Sequence, residues 1–340
     1  MTLTIATFVI TTIWVAWLTR VAYDQIKARR LFDNPNERSL HYRPVPRGGG
    51  LAIAAGVLVA QLVLIGFLAS EATWFWAWLT TGAGFAALGW ADDLQARHAG
   101  LRLLLQCVLA VWFAMLVVGA RAPEFAGVEY AGFIASAVLI IGCVNLVNFM
   151  DGADGYATSG VGFMALVWVV FMTATGSTVD ALCAVALVGG CIGFLIWNWA
   201  PAQIFMGDCG SYFLGFQISA LLIIGADSMR DVMIWLIVVS PFLVDGAMTL
   251  TSRIILRERW WEAHRSHLYQ RLILSGWSHQ KTTLYLLLYL AVFCSLFAWW
   301  QYHWAESFVP VTLAVTALIG LWLAAGYFVS LQPPRAPEAF

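Results

Sequence analysis

Charged residues are scarce in this sequence. Asp, Glu, Lys and Arg make up 11% of its 340 residues, whereas soluble globular domains carry about 25%. Hydrophobic residues instead reach 61%, and the mean hydropathy is +0.80. Because a membrane-spanning helix needs roughly 20 apolar residues, this composition excludes an ordinary soluble domain and indicates a membrane protein with many spans.

Three further features are missing. The six cysteines include no C-x-x-C pair and mostly lie in apolar runs, so we expect buried thiols rather than a disulfide framework or a zinc site. The chain shows no clear internal repeat, which gives an inverted-repeat transporter no support. No basic segment precedes the first apolar run, so we expect a retained span and not a cleaved signal peptide.

Eleven apolar runs alternate with polar loops along the chain. They fall near residues 2–19, 50–69, 73–91, 101–119, 132–149, 158–175, 180–197, 211–226, 232–252, 282–302 and 308–330. Of the 18 Lys and Arg residues, only Arg121 and Arg230 fall in loops on one side, and the positive-inside rule makes the other side cytoplasmic. We therefore expect an all-α polytopic membrane protein of about 11 transmembrane helices, with a periplasmic N-terminus and a cytoplasmic C-terminus.

Several acidic residues lie at the ends of predicted spans, where the cost of a carboxylate near the bilayer has to be explained. A carboxylate inside or beside a span costs a few kcal/mol, yet five of them map to the cytoplasmic ends of predicted spans: Asp92, Asp93, Asp151, Asp154 and Asp208. The loops at 150–157 and 198–210 contain no Lys or Arg. Three explanations remain open: ion pairs with basic residues of other loops, a bound divalent cation, or a proton path.

Amide side chains beside these carboxylates favour the metal. Asn145 and Asn148 are spaced to share one helix face, directly before the turn that carries Asp151 and Asp154. Carboxylate and amide oxygens are hard ligands of the kind that Mg²⁺ takes alongside substrate phosphates. The alternative is that the acidic residues only end a helix in an Asn/Asp/Gly turn or, for Asp208, cap one.

Two cytoplasmic segments are basic. The segment that runs through His41 to Arg47 and three glycines contains prolines that stop a helix and glycines that let the backbone approach a ligand. The segment from His264 to Leu272 predicts a basic helix that suits phosphate groups, and it lacks the H-E-x-x-H pattern of a zinc site. Binding of either segment to anionic lipid headgroups is the alternative.

Taken in order, the motifs resemble those of the polyprenyl-phosphate N-acetylhexosamine-1-phosphate transferase family, glycosyltransferase family 4. Asp92-Asp93 is similar to the family's Asp-Asp motif, and residues 145–155 match N-x-x-N-x-x-D-G-x-D-G. Residues 205–211 match F-x-G-D-x-G-S, and residues 264–272 resemble the histidine motif. The resemblance covers nearly the whole chain. The triple-histidine form of the peptidoglycan translocase is missing, which favours the branch that initiates O-antigen synthesis.

The resemblance implies a reaction on the cytoplasmic face of the bacterial inner membrane. An N-acetylhexosamine-1-phosphate would pass from a UDP-sugar, such as UDP-GlcNAc, UDP-FucNAc or UDP-QuiNAc, to undecaprenyl phosphate, with release of UMP. Mg²⁺ is expected on the diphosphate, with Mn²⁺ as the alternative ion. The expected partners are the two substrates and the lipid bilayer, without nucleic acid, and a homodimer is an open option. A peptidoglycan-type phospho-sugar translocase and, less favoured, a membrane transporter are the alternatives.

The resemblance also implies residue roles within a single domain, 1–340, whose active site is formed by loops 20–49, 92–100, 150–157, 198–210 and 253–281. Asp208 and Asn148 are expected to hold the metal. The expected catalytic residues are Asp92, Asp93, Asp151 and Asp154, the first two acting on the lipid phosphate as base or orienting group and the last two shaping the nucleotide site. The expected substrate-binding residues are Arg102, Asn145, His41, Arg47, His264, Arg265, His267 and Arg271.

Arg102 stands where many members of the family carry Lys. Arginine keeps the charge and changes its geometry. Direct attack by the lipid phosphate is preferred to an enzyme nucleophile, because a phosphate oxygen is already anionic.

Overall fold

The computed structural model describes residues 1–36, 39–68, 73–95, 97–121, 129–226, 229–259, 264–303 and 309–330. Within these ranges the chain forms twelve helices and one short hairpin. The helices are α1 (Thr2–Ala28), α2 (Gly50–Phe67), α3 (Thr73–Leu94), α4 (Ala99–Arg121), α5 (Glu129–Met150), α6 (Tyr156–Thr175), α7 (Thr178–Asn198), α8 (Gly207–Gly225), α9 (Met229–Ile255), α10 (Leu268–Leu274), α11 (His279–His303) and α12 (Val309–Ser330). Strands β1 (Phe32–Asp33) and β2 (Val45–Pro46) pair antiparallel between α1 and α2.

Each predicted apolar run coincides with one helix. Among the described helices, all except α10 have 18 residues or more, and eight are apolar enough to cross a bilayer: α1, α2, α4, α5, α6, α7, α8 and α9. Helix α3 carries four tryptophans and two aspartates, and α12 contains a shorter apolar stretch, Val315–Val329. The prediction of an all-α polytopic membrane protein is confirmed. The number of spans and the orientation of the termini stay predictions, and residues 331–340 lie outside the described part.

Helix α8 lies at the centre of the bundle, where it packs against α2, α3 and α5. Its neighbours approach closely because glycines stand at the contacts. A Cβ on Gly89 would lie 2.2 Å from the backbone oxygen of Asp208, and one on Gly210 would lie 2.7 Å from the Cα of Gly50. Small residues therefore bring the ends of α2 and α3 against the first turn of α8.

A polar network fixes α8 inside the bundle. The Oε1 atom of Gln217 accepts hydrogen bonds from Gln61 Nε2 of α2 at 3.0 Å and from Trp78 Nε1 of α3 at 2.9 Å. All three side chains are buried. An unsatisfied amide costs several kcal/mol in hydrocarbon, so these bonds set the height and rotation of α8 relative to two of its neighbours.

The segment before α2 is tied to the segment before α8. Arg47 forms a parallel bridge with Phe205. The amides of Gly48 and Gly49 both donate to the Phe205 oxygen, at 3.2 Å and 2.9 Å, and Gly50 N donates to the oxygen of Met206 at 2.9 Å. These bonds deliver the Arg47 side chain directly beside the first turn of α8.

Candidate active site

A polar cavity of about 370 Å³ lies where several helix ends meet. Its wall includes the hairpin segment, the ends of α5 and α7, the turn before α6 and the first turn of α8. Of the predicted site residues, six line it: His41, Arg47, Asn148, Asp151, Asp154 and Asp208. The other eight lie around it. Residues of loops 20–49, 150–157, 198–210 and 253–281 therefore meet at this cavity, and the active site expected there stays a prediction.

Arg47 bridges two carboxylates at the edge of this cavity. Its Nε atom donates to Asp93 Oδ1 at 2.9 Å, and its Nη2 atom donates to Asp208 Oδ1 at 3.1 Å. Burial alone would lower the pKa of Arg47, but the negative charges of Asp208 and Asp93 outweigh burial and raise it. The guanidinium is therefore a fixed positive charge between the two acids.

Asp93 caps helix α8 from the end of α3. Its Oδ1 atom accepts the amide of Asp208 and its Oδ2 atom the amide of Cys209, each at 2.9 Å. These amides belong to the first turn of a helix, where intrahelical partners are missing. Gly207 begins the helix at φ +73°, and a Cβ there would lie 2.7 Å from both Asp93 oxygens, so only glycine fits. Asp93 therefore fixes the position of Asp208.

Asn148 holds the Asp208 side chain from the end of α5. Its Nδ2 atom donates to Asp208 Oδ1 at 2.9 Å and to Ser211 Oγ at 3.0 Å. These two bonds fix the amide plane with the nitrogen towards α8. No donor in the described part of the chain reaches Asn148 Oδ1, so this oxygen is available to a ligand in the cavity.

Asp151 and Asp154 face the same cavity in different states. No hydrogen-bond donor among the described residues reaches the Asp151 carboxylate, and burial together with Asp208, Asp93 and Asp154 raises its pKa despite the charge of Arg47. Asp154 Oδ1 instead lies 3.2 Å from His279 Nδ1, and Asp154 Oδ2 accepts the amide of Ala202 at 3.0 Å. Burial would raise the pKa of Asp154, but these contacts lower it. Among the described residues, Asp151 thus lacks a hydrogen-bond donor, whereas Asp154 has one from Ala202 and a close contact with His279.

Two predicted residues, Asp92 and Asn145, lie outside the cavity wall and contact α4. The Asp92 carboxylate accepts Arg97 N at 2.8 Å and Arg102 Nη1 at 3.0 Å. The Nδ2 atom of Asn145 donates to Gln106 Oε1 at 2.8 Å. Arg102 is half-buried at the start of α4, whereas Asp92 and Gln106 are buried. Asp92 therefore joins the end of α3 to Arg102 of α4, and Asn145 joins α5 to α4.

The prediction of a basic helix through His264 was wrong. Residues 264–266 are not helical, α10 begins only at Leu268, and residues 260–263 lie outside the described residues. The helix begins late because His267 takes the N-cap position, with Asp245 of α9 accepting the amide of Leu268 at 2.8 Å. A helix cannot extend past its N-cap towards the N-terminus of the chain. Residue spacing did not reveal this constraint.

The four predicted residues of this segment therefore point in different directions. His267 is buried with its Nδ1 atom 3.3 Å from Asp245 Oδ1, and Arg265 is exposed. Arg271 Nη2 donates to the oxygen of Gly326 in α12 at 3.3 Å. Burial, aided by the charges of His267 and Arg253, lowers the pKa of His264 to about 4, so its ring is neutral at neutral pH. None of the four lines the described cavity wall, and their substrate-binding roles stay predictions.

Sequence reasoning missed six polar residues of the cavity wall: Asp33, Asn36, Ser39, Asn198, Gln270 and His279. Asn198 Oδ1 accepts the amide of Gly155 at 3.1 Å and its Nδ2 donates to Ile204 O at 2.9 Å, so it joins two of the loops. Asn148 was identified because its side-chain amide stands at the end of an apolar run. Asn198 stands at the end of another apolar run, so the same signal could have identified it. Gln270 and His279 carried no comparable signal.

The oxygen atoms that line this cavity are suitable ligands for a hard divalent cation. Asp151 and Asp208 offer carboxylate oxygens and Asn148 offers an amide oxygen. Among the described residues, no three His, Cys, Asp or Glu side chains converge as a metal cage. That arrangement suits Mg²⁺, which is usually held by one or two carboxylates together with substrate phosphates. The ion itself stays a prediction.

Comparison with known proteins shows which families this sequence resembles. The sequence model described as Glycosyl transferase family 4 matches residues 75–226. The chain is 30% identical over 266 residues to the probable undecaprenyl-phosphate N-acetylglucosaminyl 1-phosphate transferase of Bacillus subtilis (strain 168), covering 74% of this chain and 72% of that protein. The chain belongs to the polyprenyl-phosphate N-acetylhexosamine-1-phosphate transferase family.

Other relatives represent two kinds of transferase. The decaprenyl-phosphate N-acetylglucosaminephosphotransferase of Mycobacterium leprae is 29% identical over 76% of this chain and 74% of its own length. The phospho-N-acetylmuramoyl-pentapeptide-transferase of Heliobacterium modesticaldum is 34% identical over 53% of this chain and 60% of its own length. The resemblance seen in the motifs is thereby confirmed at the level of the family. The transferase is a multi-pass membrane protein, and its assignment to the O-antigen branch stays a prediction.

Proposed function

We propose that this transferase moves an N-acetylhexosamine-1-phosphate from a UDP-sugar to undecaprenyl phosphate and releases UMP. The observation that carries the proposal is the convergence of Asp151, Asp208 and Arg47 on one polar cavity at the helix ends of a membrane bundle. A soluble, charged donor can enter such a cavity, while a lipid phosphate can approach from the bilayer. The names of two relatives, which specify polyprenyl phosphate and N-acetylglucosamine, support both halves of the proposal.

The reaction exchanges one phosphorus–oxygen bond for another. An oxygen of the lipid phosphate attacks the phosphorus that carries the sugar, and the bond from that phosphorus to the bridging oxygen breaks. UMP leaves with the bridging oxygen, and the sugar phosphate stays on the lipid as a diphosphate. No proton has to move, because the attacking phosphate is already anionic.

The residues of the cavity would manage charge during this exchange. Mg²⁺, when bound, would neutralise developing charge on the diphosphate, and Asp208, Asn148 and Asp151 are the residues that would hold it. Arg47 adds a fixed positive charge beside them. His41, whose buried Nε2 atom has no partner among the described residues, would meet the donor.

The Asp-Asp pair would act by positioning. Asp93 accepts hydrogen bonds from Arg47, Asp208 N and Cys209 N, and Asp92 accepts three from Arg97 N, Arg102 and Tyr212. A carboxylate with three protein donors is poorly placed to take a proton as well. We therefore assign Asp92 to the orientation of Arg102 towards the lipid phosphate, and Asp93 to the support of Asp208.

The test incubates purified protein with undecaprenyl phosphate, Mg²⁺ and a panel of UDP-sugars, and measures UMP. UMP release with UDP-GlcNAc or a related UDP-N-acetyl sugar is expected, and EDTA should stop it. Selective use of UDP-MurNAc-pentapeptide would support the peptidoglycan-type alternative. No release with any donor would refute the transferase reaction.

Membrane sidedness is tested separately. We place the cavity on the cytoplasmic face of the inner membrane, so UDP-sugar added to inside-out vesicles should be consumed and UDP-sugar added outside right-side-out vesicles should not. We also propose that the product initiates O-antigen or a related envelope polysaccharide. Expression in a strain that lacks its own initiating transferase should restore that polysaccharide, and failure to do so with an active enzyme would contradict this role.

A further inference from the structure

One buried carboxylate in the membrane part of the chain takes no part in the chemistry proposed above. Asp245 lies in α9, within the stretch Ile234–Ile255 that is apolar enough to cross a bilayer, and is 4% exposed. A charged group at such a place is costly unless it is well hydrogen-bonded. The groups that contact Asp245 should therefore show what it does.

The partners of Asp245 come mainly from the start of α10. Its Oδ1 atom accepts Leu268 N at 2.8 Å and lies 3.3 Å from His267 Nδ1, and its Oδ2 atom accepts Tyr269 N at 3.4 Å. The remaining donor is Thr249 Oγ1, one turn along α9, at 3.1 Å from Oδ1. Asp245 thus caps α10 from another helix and contacts one ring nitrogen of His267.

The first turn of α10 in turn lies against the substrate cavity. The amide of His267 donates to Gln270 Oε1 at 3.2 Å, and Gln270 lines the cavity. Tyr269 Oη donates to the Phe149 oxygen at 2.9 Å. A Cβ on Gly152 would lie 2.3 Å from Tyr269 Oη, so α10 sits directly on the turn that carries Asp151.

We propose that Asp245 is a positioning residue for the transfer reaction, and that it holds the first turn of α10 and the ring of His267 against the substrate cavity. Asp245 itself does not line that cavity. The kinetic consequences of this proposal rest on the proposed function. Its structural consequences can be measured without any substrate.

The structural test is hydrogen exchange of the full-length protein in detergent. Asp245→Ala removes both acceptor oxygens, so the amides of Leu268 and Tyr269 should exchange about tenfold faster or more, with little change elsewhere. If Asp245→Ala does not fold, Asp245→Asn keeps one acceptor and should expose one of the two amides. Unchanged exchange in the folded variant would overturn the proposal.

The kinetic test is a double-mutant cycle on UMP release. Asp245→Asn keeps an acceptor for Leu268 N and removes the negative charge beside His267. It should lower kcat/KM by roughly tenfold or more, the size of effect seen when the partner that orients a functional histidine is lost. In a His267→Ala background the same change should cost less than about twofold, because the residue through which it acts is gone. Losses that simply multiply would show an independent structural role and overturn the proposal.

Thr249→Val is the matched control. It removes a hydrogen bond to the same Asp245 oxygen from within α9 and leaves the α10 contacts in place, so kcat/KM should stay within about twofold. A loss as large as that of Asp245→Asn would overturn the assignment to α10. If the wild-type protein releases no UMP from any donor, the proposed function fails, while the exchange measurement still decides whether Asp245 positions α10.

Discussion

Helices α8 and α10 begin with the same kind of cap and differ in charge. At each N-terminus an aspartate from another helix accepts first-turn amides, Asp93 at α8 and Asp245 at α10. Asp93 also pairs with Arg47, and α8 adds its own Asp208 in the same turn, so two carboxylates share one guanidinium. The first turn of α10 contains no acidic residue.

The two helix ends therefore differ in how completely their carboxylates are paired. The amides at the start of α8 donate to Asp93, so the Asp208 carboxylate accepts hydrogen bonds from the side chains of Asn148 and Arg47, and Asp151 beside it receives none from the described residues. At α10 one carboxylate faces two amides and a histidine, and the site is satisfied. We therefore propose that the same capping arrangement serves chemistry at α8 and alignment at α10.

The largest effect is expected from Asp208→Asn. Asparagine keeps an acceptor for Asn148, so the fold should persist, but the charge that would hold the metal is lost and UMP release should fall by about 10³-fold or more. Asp180→Asn is the control, because Asp180 also lies in the first turn of a buried helix, α7, where it contacts Ser177. It should leave the rate within about twofold. If Asp208→Asn keeps a tenth of the wild-type rate, Asp208 is not a metal ligand.

Asp93→Asn at the cap of α8 should lower the stability of the protein more than Asp245→Asn at the cap of α10. Loss of the Asp93 charge leaves the half-buried Arg47 partly unpaired, which should cost about 2 kcal/mol, with about 100-fold lower UMP release because Asp208 shifts. Asp245→Asn should destabilise less, because among the described residues Asp245 contacts no guanidinium, and asparagine keeps an acceptor for the amide of Leu268. Thermal unfolding of both variants in detergent gives the comparison, and equal shifts of the midpoint would contradict it.

The parts of this site that the sequence predicts are those encoded in contiguous motifs. The apolar runs place the helices to within a few residues for most spans, and the motif at 145–155 correctly brings Asn148, Asp151 and Asp154 to one cavity. Charge asymmetry and loop alternation suffice for this, because a helix end and its next loop are local in the chain.

The parts that the sequence does not predict are pairings between distant segments. Asp93 and the amide of Asp208 are 115 residues apart, and no spacing rule indicates that one caps the other. The same holds for Asp245, whose capping of α10 explains why the expected helix through His264 does not form. A carboxylate can serve as ligand, base or cap, and only its donors in the folded chain distinguish these roles.

Arg47→Lys tests whether two carboxylates must share one planar group. Lysine keeps the charge but cannot donate from two fixed nitrogens to Asp93 and Asp208 together. UMP release should fall by roughly 10- to 30-fold, with a smaller loss of stability than for Asp93→Asn. Arg43→Lys, at an exposed arginine of the same segment, should have no measurable effect. Equal rates for Arg47→Lys and the wild type would show that charge alone suffices at α8.

The smallest effect is expected from Ser211→Ala, which removes one hydrogen bond that holds Asn148 and the long 3.4 Å bond from Ser211 Oγ to the backbone oxygen of Asp208. Asn148 Nδ2 loses its bond to Ser211 Oγ and keeps the one to Asp208, so stability should fall by about 1 kcal/mol. The amide can then rotate, and the Mg²⁺ concentration for half-maximal UMP release should rise about threefold while the maximal rate changes little. Ser219→Ala removes another buried serine of α8, whose hydroxyl donates to the Phe216 oxygen at 2.8 Å two turns further from the cavity. Its Mg²⁺ dependence should match the wild type, and a threefold rise there as well would mean that α8 as a whole, and not the Asn148 amide, sets the affinity for the metal.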